Sequence, residues 1–273
     1  MKLLQLKRPF LCAVIAEPTA RGCISQIDRL ERLADAFEIN IPPLSFRVMR
    51  DIFSSTRRPC IATNRRPDFM KLYGYRNIPK VSEGERISKL LRGLDAGASV
   101  IDFELDAYDE VNIARKPSFG SRSERQYAFR PGSEPTEFST LPTMVRRQRK
   151  LCETIQASGG EVLISSHTQV RVDVAKVVRI GRVIQGRGAD YAKIVVFAFN
   201  SRDVITLLET AQKLRRSIRI PFNLMNVGEH LILGRLLATA FGSSWIYCRT
   251  NSPHSFPGQP TLEQAAEFLG NMP

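Results

Sequence analysis

The amino-acid sequence predicts an α/β fold of the (β/α)8 TIM-barrel type, as one domain over residues 1–273. Three observations carry that prediction. Eight short apolar segments recur along the chain, each followed by a helical pattern, and strands alternating with helices imply a parallel sheet. A chain of 273 residues accommodates eight such repeats, which favours a closed barrel over an open doubly wound sheet. A G-x-G-x-x-G turn is missing after the first strand, which argues against a dinucleotide-binding sheet.

The predicted strands cover 10–16, 36–42, 60–64, 99–105, 161–167, 191–198, 218–225 and 243–249. Between them the apolar residues take the helical period. Ile24, Ile27, Leu30 and Leu33 mark the first helix, and Val174, Val177, Val178 and Ile184 the fifth. Val204, Leu207, Leu208, Ala211 and Leu214 mark the sixth, with Asn200 or Ser201 as its N-cap and Asp203 in its first turn. Two stretches break the even spacing: a long loop at 65–81, and a longer basic insertion at about 106–139. Both leave the C-terminal ends of predicted strands, where barrel active sites are built, and loops of that length are usually functional.

Composition narrows the class. Hydrophobic residues make up 43% and charged residues 25%, as in a soluble globular protein. No apolar run is long enough to span a membrane, and the charged N-terminus does not read as a signal peptide. Five cysteines without a C-x-x-C pair read as reduced core residues of a cytoplasmic protein. The net charge of +13 suits an anionic small-molecule substrate, a polyanion, or solubility alone. Residues 113–150 hold nine Lys/Arg against three Glu, but no nucleic-acid-binding motif accompanies them, so nucleic acid is an unlikely partner.

The chemistry centres on Gly188-Ala189-Asp190-Tyr191-Ala192-Lys193-Ile194-Val195, where one lysine sits inside a continuous apolar strand. Such a lysine either snorkels its head to water from a strand edge or serves as a nucleophilic amine that forms a Schiff base with a carbonyl. His167 closes the preceding strand. An imidazole beside a buried amine suits imine chemistry, moving protons at the carbon next to the carbonyl. Glu38 and Glu104 lie in apolar strands, Arg65 follows the third strand and Arg235 sits in the helix after the seventh. Ser255 and Gln259 lie in the loop after the eighth. An arginine fork would hold an anionic substrate group. No His/Cys cluster has metal-binding spacing, so no metal and no cofactor is expected.

Several ordered stretches then point to a family: Ser165-Ser166-His167-Thr168-Gln169, Gly188 to Val195, Ser201 to Leu208, Met225 to Arg235, Phe241-Gly242-Ser243, and Ser255-Phe256-Pro257-Gly258-Gln259. Together they resemble the type I 3-dehydroquinate dehydratases, class I aldolase-like barrels that convert 3-dehydroquinate to 3-dehydroshikimate and water. The corresponding family elements read S-x-H-D-F, G-A-D-x-x-K-I-A, S-x-x-D-V-x-x-L-L, M-x-x-x-G-x-x-S-R, F-G-S and S-A-P-G-Q, the Met225–Arg235 stretch being two residues longer with Gly234 in place of the serine. The resemblance implies that Lys193 forms the imine with the C3 ketone and that His167 is the general acid and base. It further implies that Arg235 binds the carboxylate, that Glu38 contacts substrate hydroxyls, and that Ser255 and Gln259 belong to a loop closing over the ligand. The strand-three T-x-R survives as Thr63-Asn64-Arg65. A homodimer is also implied.

The first half departs from the pattern. The family's E-x-R-x-D reads Glu38-Ile39-Asn40-Ile41-Pro42, and its E-G-G reads Phe69-Met70-Lys71, so an arginine, an aspartate and a histidine-orienting glutamate are replaced. Neither Asp68 nor Glu83 substitutes for that glutamate, Glu83 reading as the start of the next helix. Two alternatives follow: a paralogue using the same imine chemistry on another carbonyl acid, or a non-catalytic ligand-sensing or regulatory barrel.

Overall fold

The computed structural model describes residues 2–115 and 137–271; the side chains of 68, 72 and 168–170 and most of the basic insertion, 116–136, lie outside the described residues. Eight strands alternate with helices: β1 Phe10–Ile15, β2 Ala36–Asn40, β3 Cys60–Thr63, β4 Val100–Glu104, β5 Glu161–Arg171, β6 Tyr191–Ala198, β7 Phe222–Gly228 and β8 Trp245–Arg249. They form one sheet in the order β7-β6-β5-β4-β3-β2-β1-β8, the (β/α)8 arrangement the sequence predicts. The helices that matter below are α1 Ala20–Leu30, α2 Phe46–Ser54, α3 Pro67–Met70, α4 Glu83–Asp95 and α5 Glu110–Arg115. They continue as α6 Pro142–Ala157, α7 Val174–Gly186, α8 Ser201–Ser217, α9 Leu231–Ala240 and α10 Leu262–Gly270.

Residue contacts divide the chain into two compact units. The first comprises Met1–Phe103, Ile155–Val162 and Ser244–Pro273. Within it, β8, β1, β2, β3 and β4 pair in parallel. Strands buried on both faces become continuous apolar runs, and every residue of β1, β2, β3 and β4 is indeed buried. Phe10 and Trp245 stack in register with centroids 5.6 Å apart, and Tyr247 meets Trp245 edge-on. The first helix stops three residues short of Leu33, which is exposed, because the chain turns there with Ala34 N–H donating to Leu30 O at 2.8 Å.

The second unit comprises Glu104–Thr154 and Leu163–Ser243. Here β5, β6 and β7 pair in parallel, and β6 is buried throughout. Asn200 is the N-cap of α8, its side chain accepting from Asp203 N–H at 3.1 Å. Strand β7 starts four residues later than expected: Ile218 still closes α8, and Pro221 immediately before the strand has no N–H to donate. It also ends three residues later, at Gly228 (φ +101°). A Cβ at Gly228 would overlap the carbonyl oxygen of Ala198 at the end of β6, so only glycine fits there. Where the insertion begins and ends, Gln148 is fully buried and donates to Leu105 O and Ala107 O at 2.9 and 3.0 Å. Arg187 in turn donates to Gln148 Oε1 and Ser139 O.

Candidate active site

In the second unit the register places polar side chains in layers on one face of the strands. Ser165, Lys193 and Asn223 lie side by side on β5, β6 and β7; His167, Val195 and Met225 form the next layer toward the C-terminal ends. Residues two apart on a strand share a face. Adjacent strands lie about 4.8 Å apart and two residues rise ~6.6 Å, so the Cα atoms of Lys193 and His167 are ~8 Å apart with side chains on the same side. That is close enough for an amine and an imidazole to serve neighbouring atoms of one small ligand.

Lys193 is 5% exposed and sits mid-strand, so it does not snorkel from a sheet edge. A lysine amine held on the inner run of a strand can meet a ligand carbonyl there as a nucleophile. His167 is half-buried on β5, just before the pairing with β6 shifts register between His167 and Arg171. Arg235 is 6% exposed in α9. Its neighbour Gly234 has no room for a side chain, because the Asn226 amide at the end of β7 fills that space. Asn226 donates to Glu229 O at 2.9 Å, fastening the turn that leads into α9. Glu104 is buried in the same unit.

In the first unit, Glu38 and Asn40 share one face of β2, 2% and 1% exposed. Asn40 is level with Thr63, whose hydroxyl lies 3.3 Å from Asn40 Oδ1, while Asn40 Nδ2 has no protein partner. Arg65 is not an isolated cation. Its guanidinium is paired through both terminal nitrogens with Asp102 of β4, and both residues are buried. Asp102 was not among the residues singled out from sequence, although its position two before Glu104 in an apolar strand was a visible signal. The phenol of Tyr247 faces the same group of charges. Burial pushes its pKa well up, and the nearby Glu38 and Asp102 carboxylates push it further.

Ser255 and Gln259 both fall in the segment between β8 and α10. Ser255 Oγ accepts from Thr250 N–H at 2.9 Å, and Gln259 is buried with its Oε1 unpartnered. Glu83 begins α4, as expected, and its carboxylate is held by Arg86 at 2.9 and 3.0 Å and by Arg66 at 3.1 and 3.2 Å. It is therefore committed to that triad. Phe69 is buried in α3; the side chain of Asp68 lies outside the described residues.

Against known proteins, a family model for type I 3-dehydroquinase matches residues 138–272. The 3-dehydroquinate dehydratase of Archaeoglobus fulgidus is 26% identical over 191 residues, covering 64% of this chain and 90% of that protein. That of Albidiferax ferrireducens is 36% identical over 83 residues, only 30% of this chain and 31% of its own length. The crystal structure of 3-dehydroquinate dehydratase from Geobacillus kaustophilus superposes with a TM-score of 0.74 at 17% identity, covering 99% of this chain and 95% of the other.

The match to the type I 3-dehydroquinase family model covers just under half of the chain. The family-model match begins at 138 and so takes in Lys193, His167, Arg235, Ser255 and Gln259, whereas Glu38, Asn40, Arg65 and Phe69 lie before it. The (β/α)8 fold alone does not fix chemistry: a 3-keto-L-gulonate-6-phosphate decarboxylase from Vibrio cholerae shares it at a TM-score of 0.56 and 8% identity.

Proposed function

We propose that this protein is a type I-like 3-dehydroquinate dehydratase acting through a Lys193 imine, with His167 as general base and then general acid. The observation that carries the reading is the burial of Lys193 on β6, with His167 on the same face of the adjacent β5. Lys193 Nζ adds to the C3 carbonyl, and loss of water leaves the iminium. His167 removes a proton from C2 and the electron pair flows into the iminium to give an enamine. The pair then returns as the C1–O bond breaks, with His167 giving its proton to the departing hydroxyl. Hydrolysis of the product imine releases 3-dehydroshikimate and restores the amine, so one water is lost overall.

Arg235 is the carboxylate-binding cation in this reading, its fork suited to a planar anion. Glu38, Arg65, Ser255 and Gln259 bind the rest of the substrate, with Arg65 acting through its Asp102-bound guanidinium. No metal or organic cofactor takes part, because the iminium is itself the electron sink. The protein is read as a cytoplasmic homodimer, which sedimentation would test.

One observation favours a second reading. Asn40 places a neutral amide where the family carries an arginine, and Asp102 neutralises Arg65. A pocket with less positive charge would suit a different carbonyl acid under the same imine chemistry. A panel of keto acids assayed for turnover separates the two. Turnover of 3-dehydroquinate at ordinary enzymatic rates supports the dehydratase. Turnover of another acid alone supports the second reading, and binding without turnover supports a ligand sensor.

A further inference from the structure

We infer that His254 is a positioning residue that fastens the β8–α10 loop to the loop after β3 and so sets Ser255 and Gln259 for ligand binding. The inference rests on the substrate-binding roles proposed above for those two residues. All the groups involved lie in the first unit.

The loop spanning 250–260 is anchored at its base, where Arg249 N–H donates to Pro260 O at 2.9 Å and Arg249 bridges Thr261. Within it the bonds are short-range: Thr250 N–H to Ser255 Oγ at 2.9 Å, His254 N–H to Ser252 Oγ at 3.0 Å, and Ser255 N–H to Ser252 O at 3.1 Å. These bonds shape the loop. An attachment to a different segment comes from the half-buried imidazole of His254, one residue before Ser255.

His254 Nδ1 lies 3.0 Å from Tyr73 O. A carbonyl can only accept, so Nδ1 carries the hydrogen. The same ring stacks on Tyr75, centroids 4.9 Å apart and planes 30° from parallel. Tyr75 is itself fixed, its hydroxyl donating to Ala16 O at 2.6 Å, just past the end of β1. Between Tyr73 and Tyr75, Gly74 adopts φ +79°, which turns the Tyr73 carbonyl and the Tyr75 ring toward one partner. A Cβ at Gly74 would come within 3.6 Å of Pro253 O, so the two loops run close together at that point. One imidazole thus spends both its polar edge and its face on a platform tied to β1, and the residue that follows it is Ser255.

The test uses the full-length protein with His254→Ala, which removes both contacts, and His254→Asn, whose Nδ2 stands where Nδ1 stood. Amide hydrogen exchange of the 250–260 segment is read without ligand, and steady-state kinetics are read with 3-dehydroquinate. His254→Ala is expected to speed exchange in the segment about tenfold and raise KM about tenfold, with kcat within roughly twofold of the parent. His254→Asn is expected to recover most of the KM. Unchanged exchange in His254→Ala, an unchanged KM, or no recovery in His254→Asn would each overturn the inference. If the parent protein turned over no 3-dehydroquinate, the proposed activity would fall; the exchange experiment would still decide whether His254 holds the loop.

Discussion

Glu83 is the clearest place to perturb the fold, because its energy is bound to pH. Burial alone would raise the pKa of this carboxyl. The hydrogen bonds and charge of Arg86, with the charge and hydrogen bonds of Arg66, outweigh that and hold it at about 2 instead of the ordinary 4.5. The difference corresponds to roughly 3 kcal/mol, at about 1.4 kcal/mol for each tenfold change in proton affinity. The folded pKa lies below the unfolded one, so this contribution is complete above about pH 4.5 and is lost as pH falls toward 2. Glu83→Gln removes the charge and leaves Arg66 and Arg86 facing a neutral amide. Urea denaturation of the parent and Glu83→Gln at several pH values reads the effect, other carboxylates cancelling in the difference. The expected gap is about 3 kcal/mol at pH 7, narrowing steadily below about pH 4.5. A gap under about 1 kcal/mol at pH 7, or one equally wide at pH 3 and pH 7, would refute the reasoning.

Other outcomes follow from the packing. Asp102→Ala strands a buried guanidinium and should cost about 3–5 kcal/mol in denaturant unfolding, with much of the loss recovered in Arg65→Met/Asp102→Leu. Gly228→Ala, at φ +101° and against Ala198 O, should destabilise by more than about 2 kcal/mol, whereas Gly159→Ala, with open space around it, should cost less despite its positive φ. Burial pushes the thiols of Cys23, Cys60 and Cys152 up to about 12, and all five cysteines are buried and outside any disulfide. A thiol-reactive chromogen at pH 8 should therefore label the native protein hardly at all and the urea-unfolded protein at every cysteine.

Much of this was legible in the sequence because its causes are local. Apolar runs of four to eight residues locate all eight strands, and the Asn200–Asp203 pair marks the start of α8. The Lys193 strand and His167 stood out because a titratable group inside an apolar run is costly unless it is used. What was not legible depends on partners distant in sequence. Arg65 reads as a free cation until Asp102, 37 residues later, is found on the neighbouring strand. Glu83 could be placed at a helix start, but its two arginine partners could not be assigned without the turn that brings Arg66 back to α4. His254 gave no signal, since a histidine in a polar loop has no period to violate; its role emerges only from the Tyr73–Tyr75 turn beneath it. The start of β7 was misplaced because Ile218 and Ile220 look like strand while the last turn of α8 and Pro221 hold them out of the sheet.

The central claim is that Lys193 forms an imine with the substrate. Its most direct test is mass spectrometry of the protein incubated with 3-dehydroquinate and sodium borohydride, which reduces the iminium to a stable secondary amine. One adduct per chain is expected, mapped to Lys193 and missing in a folded Lys193→Ala variant. A folded parent protein that turns over 3-dehydroquinate yet gives no adduct, or gives it on another lysine, would contradict it.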